Sequence, residues 1–139
     1  MAILAGAMNY EERDPLCILY RLDPDFRVTP LDDGIVCSSG PCWSLDGMML
    51  YLADMSKRLI YAYDYDVTVD SVANRRTFVD FTAMGFSSYP DRATVDADNC
   101  FWSCEVYRGR LLRFRPDGTL DRSPADPVRQ QRGGNHHAY

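Results

Sequence analysis

A strand-length run of apolar and aromatic residues ending on a polar turn occurs three times in this chain. The copies are Ile18-Leu19-Tyr20-Arg21-Leu22-Asp23-Pro24-Asp25, Ile60-Tyr61-Ala62-Tyr63-Asp64-Tyr65-Asp66 and Leu111-Leu112-Arg113-Phe114-Arg115-Pro116-Asp117-Gly118. Leu19, Ile60 and Leu112, set side by side, recur at about 40 to 50 residues, the period of a β-propeller blade. Such a repeat limits the fold more than propensity does, because a unit with two apolar faces must stack on its neighbours to bury them. In the central copy, Cys37 to Trp43 reads as a loop entering a strand, and Asp46-Gly47 as a type I′ hairpin turn. Met48 to Asp54 and Leu59 to Asp66 follow as two more strands. After the polar Asn74-Arg75-Arg76, Thr77-Phe78-Val79-Asp80-Phe81 supplies a fourth. Four short antiparallel strands make one blade, so the chain is predicted to be all-β.

The flanking copies extend the pattern. Upstream, Ala2 to Met8 reads as the inner part of a strand whose blade starts before this chain, and Asn9 to Pro15 as a polar loop. Leu16 to Asp23 and Arg27 to Pro30 are strands, and Asp32-Asp33-Gly34 is the link into the central blade. Downstream, Ala93 to Asn99 leads into Cys100-Phe101-Trp102-Ser103-Cys104. Along the third central strand, Ile60, Ala62 and Asp64 face one way and Leu59, Tyr61 and Tyr63 the other; tyrosine suits such half-buried places, its hydroxyl staying wet. After Arg122 the apolar pattern stops. Residues 1–122 therefore form the repeat region, and 123–139 a disordered polar tail, as a frameshifted or fragmentary reading frame would give. His136 and His137 in that tail are expected to bind metal only adventitiously.

Composition removes several classes of function. The net charge is -5 and no basic patch tracks a phosphate backbone, so nucleic acid is not an expected partner. Arg108, Arg110, Arg113 and Arg115 alternate with apolar residues and read as a solvated strand face. No apolar stretch approaches the roughly 18 residues of a membrane span, so no membrane role is expected. The five cysteines lack metal-site spacing, and Cys100 and Cys104 are too far apart on an extended chain for an easy disulfide. Buried free thiols imply a reducing compartment, hence a cytoplasmic location.

Cys42-Trp43-Ser44-Leu45-Asp46-Gly47, Ile60 through Asp66, Asn74-Arg75-Arg76, and Tyr89-Pro90-Asp91 through Asp96-Ala97-Asp98 occur in that order. This series resembles the SMP-30/gluconolactonase/luciferin-regenerating family, which includes regucalcin, from about Leu4 to about Leu120. The resemblance implies a six-bladed propeller, a divalent cation (Ca²⁺, Zn²⁺ or Mn²⁺) in its axial channel, and hydrolysis of a sugar lactone to an aldonic acid. A six-bladed ring needs roughly 250 to 300 residues. The chain is thus predicted to be a partial six-bladed propeller of about three blades, marginally stable alone and self-associating through exposed blade edges.

The resemblance also carries individual residues. Asp91, after Pro90 in the long loop between blades, matches the family's channel aspartate, which binds the metal and serves as general base; a carboxylate suits both roles. Ser39, before Gly40-Pro41, stands where the family has an asparagine ligand and offers a neutral oxygen on a shorter arm. One carboxylate and one hydroxyl cannot supply the 6 to 8 oxygens that Ca²⁺ takes, so metal binding is expected to be weak and hydrolysis impaired. No substrate-binding residue is assigned. The alternative is a non-catalytic propeller fragment or decayed enzyme, acting as an interaction or calcium-binding module. Glu105 and Tyr107 are expected to be solvated rim polarity, and Glu11, Glu12 and Asp14 a solvated turn.

Overall fold

Apolar residues that alternate faces along a strand while both faces are buried require a sheet on either side. That is the environment of the central repeat in the computed structural model, which describes residues 2–124. The elements are β1 (Ile3–Ala5), β2 (Cys17–Leu22), β3 (Val28–Ile35), β4 (Ser38–Trp43), β5 (Met49–Asp54), β6 (Leu59–Asp66), β7 (Ser71–Asp80), β8 (Pro90–Val95), β9 (Phe101–Glu105), β10 (Arg110–Phe114) and β11 (Leu120–Arg122). They form three antiparallel meanders, β1-β2-β3, β4-β5-β6-β7 and β8-β9-β10-β11, with no helix among the described residues. Between the first and second sheets lie Cys17, Leu19, Ile35, Leu50, Leu52, Tyr61 and Tyr63. Between the second and third lie Tyr51, Ala53, Ile60, Ala62, Phe101, Leu112 and Phe114. The sheets stack as a partial β-propeller, and the expected alternation along β6 holds. The predicted tail lies, apart from Ser123 and Pro124, outside the described residues, as do His136 and His137.

Several local expectations are corrected. Asp32-Asp33-Gly34 is not a link but part of β3, absorbed by register shifts opposite Leu19. The link is Val36-Cys37, whose two N–H groups donate to the buried carboxylate of Asp54 (3.1 Å each). Asn74-Arg75-Arg76 lies inside β7, where Arg75 and Arg76 pair with Asp32 and Asp64. The Asp46-Gly47 hairpin is not type I′: its turn is closed by Gly47 N donating to Ser44 O (2.9 Å), and only Gly47 has positive φ (+70°). Asp46 instead accepts the Ser44 hydroxyl and the Met48 N–H, which keeps it out of the left-handed region. Tyr63 is not wet at its tip: its hydroxyl donates to Asp32 at 2.9 Å, and burial pushes its pKa up.

The arginines of the third repeat are likewise not a solvated face throughout. Arg113 is buried, lies against Trp102, and donates to Asp96, Asp98 and Asp121 at 2.7 to 2.9 Å. These bonds hold Asp96 and Asp121 well below the usual carboxylate range. A carboxyl depressed in the native state contributes its full stabilisation above its unfolded pKa, about 3.9, and loses it as pH falls through the native value. The thermal midpoint should therefore be flat from about pH 7 to 5 and fall below about pH 4, with a flatter acid limb in Arg113→Gln. An acid limb unchanged by that substitution would show that the network does not govern acid stability.

Candidate functional site

Two backbone bulges bring together residues far apart in the sequence. In β4 the ladder with β5 skips between Ser39 and Cys42, leaving Gly40-Pro41 as the irregularity. In β8 the ladder with β9 skips between Asp91 and Ala93, and Arg92 takes the left-handed conformation at φ +51°. The bulges face each other. A Cβ on Gly40 would stand 2.7 Å from Ala93 N and 2.9 Å from the Arg92 carbonyl carbon, so only glycine permits this approach. As a result the Ser39 hydroxyl donates to Asp91 Oδ1 at 2.8 Å and accepts the Arg92 N–H at 3.3 Å. Ser103 donates to the Asp91 carbonyl, fixing the backbone from the β9 side.

Asp91 is thus the second residue of β8 rather than part of the long loop, and Ser39 is likewise the second residue of β4. Both are half-buried. Among the described residues Asp91 Oδ2 accepts no hydrogen bond, so one oxygen is committed to Ser39 and the other is not. Burial first, then the charges of Glu12, Asp54 and Asp91, raises the pKa of Cys37, immediately before β4. Burial pushes Cys42 up to about 12. Neither thiol is a nucleophile at neutral pH. The same end of the sheets holds a cavity of about 350 Å³ lined by Glu12, Met55, Ser56, Tyr89, Val106 and Tyr107. Glu11, Glu12 and Asp14 are exposed in a turn, as expected, and Glu12 also lines this cavity.

Glu105 corrects the expectation more sharply. It is 1% exposed and bonded to Arg110, while its Oε1 has no hydrogen-bond partner. Its place explains the burial: Glu105 ends β9 as Asp54 ends β5, each pointing into the layer between sheets. The repeat contained that signal, because Asp54 and Glu105 occupy matching positions beside Lys57 and Arg110. Tyr107 is exposed, as expected of the rim.

The donor set does not complete a cation site. No group of three or more His, Cys, Asp or Glu side chains able to hold a metal ion occurs among the described residues. Asp91 and Ser39 spend a hydrogen bond on each other, and two such oxygens fall well short of a calcium shell.

Antiparallel sheets stacked face to face, with an acid–hydroxyl pair bridging two of them, define part of a β-propeller. The chain belongs to the SMP-30/gluconolactonase/LRE-like family, whose sequence profile matches residues 2–131. It is 31% identical over 114 residues to regucalcin of Danio rerio, covering 81% of this chain and 38% of that protein. It is also 31% identical over 102 residues to 6-deoxy-6-sulfogluconolactonase of Pseudomonas putida, covering 73% of this chain and 34% of that protein. The solved luciferin-regenerating enzyme superposes with a TM-score of 0.85 at 25% identity, covering 91% of this chain and 43% of that one. The chain therefore spans well under half the length of these relatives.

Proposed function

We propose that the chain carries the acid of a sugar-lactone hydrolase site, with Asp91 as general base. The observation that supports this reading is the Ser39–Asp91 hydrogen bond across two sheets, which fixes one carboxylate oxygen and leaves the other uncommitted. Asp91 takes a proton from water as the water oxygen attacks the lactone carbonyl carbon. The ring C–O bond then breaks, and the departing ring oxygen receives that proton, so lactone and water become a hydroxy acid. Ser39 is a positioning residue: it orients the carboxylate and is itself held by the Arg92 N–H. The relative named 6-deoxy-6-sulfogluconolactonase supports a sugar lactone as substrate. The divalent cation, whether Ca²⁺, Zn²⁺ or Mn²⁺, does not fit the described donors as a complete site, and no step is assigned to it. Five free cysteines support a reducing, cytoplasmic setting.

The experiment is hydrolysis of an aldonolactone followed by titration of released acid, with spontaneous opening subtracted and each cation added in turn. Asp91→Ala should lower the rate by about a hundredfold or more, the usual worth of a positioned base. Equal rates for the native chain and Asp91→Ala would overturn the assignment. The incomplete donor set favours a second reading, a non-catalytic fragment. That reading predicts no turnover above background and no calorimetric binding of any of the three cations at micromolar concentration.

A further inference from the structure

Each sheet in this fold has two faces, and the repeat shows what each is for. Tyr51, Ala53 and Ile60 on the second sheet bury the third. Trp102, Cys104 and Leu111 hold the same places on the third sheet, because Asp54 pairs with Leu59 as Glu105 pairs with Arg110. Yet that face carries no further sheet among the described residues: Leu111 is 44% exposed, and Trp102, Cys104 and Leu111 line an open cavity of about 150 Å³. Its buried arginine, Arg113, is paired with Asp96, Asp98 and Asp121, and Arg115 and Arg122 also pair with Asp121, so three arginines balance three carboxylates there. At the other end of the stack, Cys17 and Leu19 point toward the second sheet, so Ile18 and Tyr20 point away from it. Ile18 and Tyr20 match Leu59 and Tyr61, residues through which the second sheet meets the sheet before it. Ile3 and Val28, across from Leu22 on that outward face, are 60% and 57% exposed.

The two end faces are therefore the two halves of the interface that already occurs twice inside the chain. We propose that a second copy of this chain covers both at once, with the third sheet of each copy packing on the first sheet of the other to close a ring of six sheets. The contact is head-to-tail, a type that either closes or grows into a filament depending on the rotation per copy. Two copies bring six sheets, three from each chain, the number of blades that the family resemblance implies. The first sheet brings only three strands, β1, β2 and β3 standing where β9, β10 and β11 stand in the third, so β9 and β10 meet β1 and β2 at each seam. The ring would place two Ser39–Asp91 pairs about one axis. Mass rather than turnover decides this inference, so it stands or falls separately from the lactonase reading.

The test is light scattering on the full 139-residue chain at micromolar concentration, where the expected mass is twice 15.9 kDa. Ile18→Lys and Leu111→Glu each alter an outward residue, and circular dichroism melts confirm that each variant folds. Each alone should weaken the pairing about 30-fold or more, the loss typical of a central contact residue. Mixing the two should restore the pair, because one seam then stays native and the other sets lysine against glutamate. A single-copy mass for the native chain, as expected if further sheets of a longer chain cover these faces, would overturn the proposal. So would open-ended assemblies, an Ile18→Lys variant that still pairs, or a mixture that stays unpaired.

Discussion

Gly40→Ala should be among the most damaging single-methyl changes in the protein, costing about 2–4 kcal/mol and lowering the melting temperature by roughly 10 °C. Two terms add. A residue with a Cβ at φ +57° costs about 1–2 kcal/mol in the left-handed region. The new methyl would also lie 2.7 Å from Ala93 N, and backbone cannot yield there without parting β4 from β8. Gly47 is the control: its φ is +70°, but a Cβ there meets nothing within 4 Å. Gly47→Ala should show the conformational term alone, so Gly40→Ala must be the worse of the two by about 1–3 kcal/mol. Because the parted strands carry Ser39 and Asp91, Gly40→Ala should also lose lactone hydrolysis in its folded fraction. Equal melting curves for the two variants would show that the close approach is not tight.

Asp54→Ala carries the other large effect, about 3–5 kcal/mol. Asp54 is fully buried, and its two oxygens accept the N–H groups of Val36 and Cys37, the only residues between β3 and β4. Removing the carboxylate leaves two buried donors without partners, at about 1–3 kcal/mol each. It also leaves Lys57, 3.6 Å away, without its counter-charge. Asp54→Asn keeps one acceptor but turns an amide N–H toward a backbone donor, so it should lie between the native chain and Asp54→Ala. Denaturant midpoints measure the order, and an Asp54→Ala midpoint equal to the native one would mean the clamp contributes nothing.

Much of this architecture was legible because strand sequences buried on both faces are distinctive. Leu50 through Ala53 and Ile60 through Tyr63 have no polar face at all, which only a sandwiched sheet explains. The ordered motifs from Cys42 to Asp98 carried the family, and with it Asp91 and Ser39. What stayed hidden depends on backbone detail or on partners distant in sequence. Nothing in Ser39-Gly40-Pro41 or Pro90-Asp91-Arg92 announces two facing bulges, and the bond they create spans 52 residues. Asn74-Arg75-Arg76 reads as a break because its residues are polar. Yet β7 is an outer strand whose polar side chains reach back to Asp32 and Asp64, so it needs no apolar pattern there. Glu105 and Arg113 were misplaced for one reason: a charge reads as solvated unless its partner is known, and the partners lie on neighbouring strands.

The account rests on Ser39 and Asp91 acting as one unit held together by the stacked sheets. A double-mutant cycle read in kcat/KM for aldonolactone opening tests this directly. Ser39→Ala should lower kcat/KM about tenfold in the native chain, the worth of a hydrogen bond to a charged group, and change nothing in the Asp91→Ala background. The same proportional loss in both backgrounds would contradict it, because serine would then act without the acid it is bonded to.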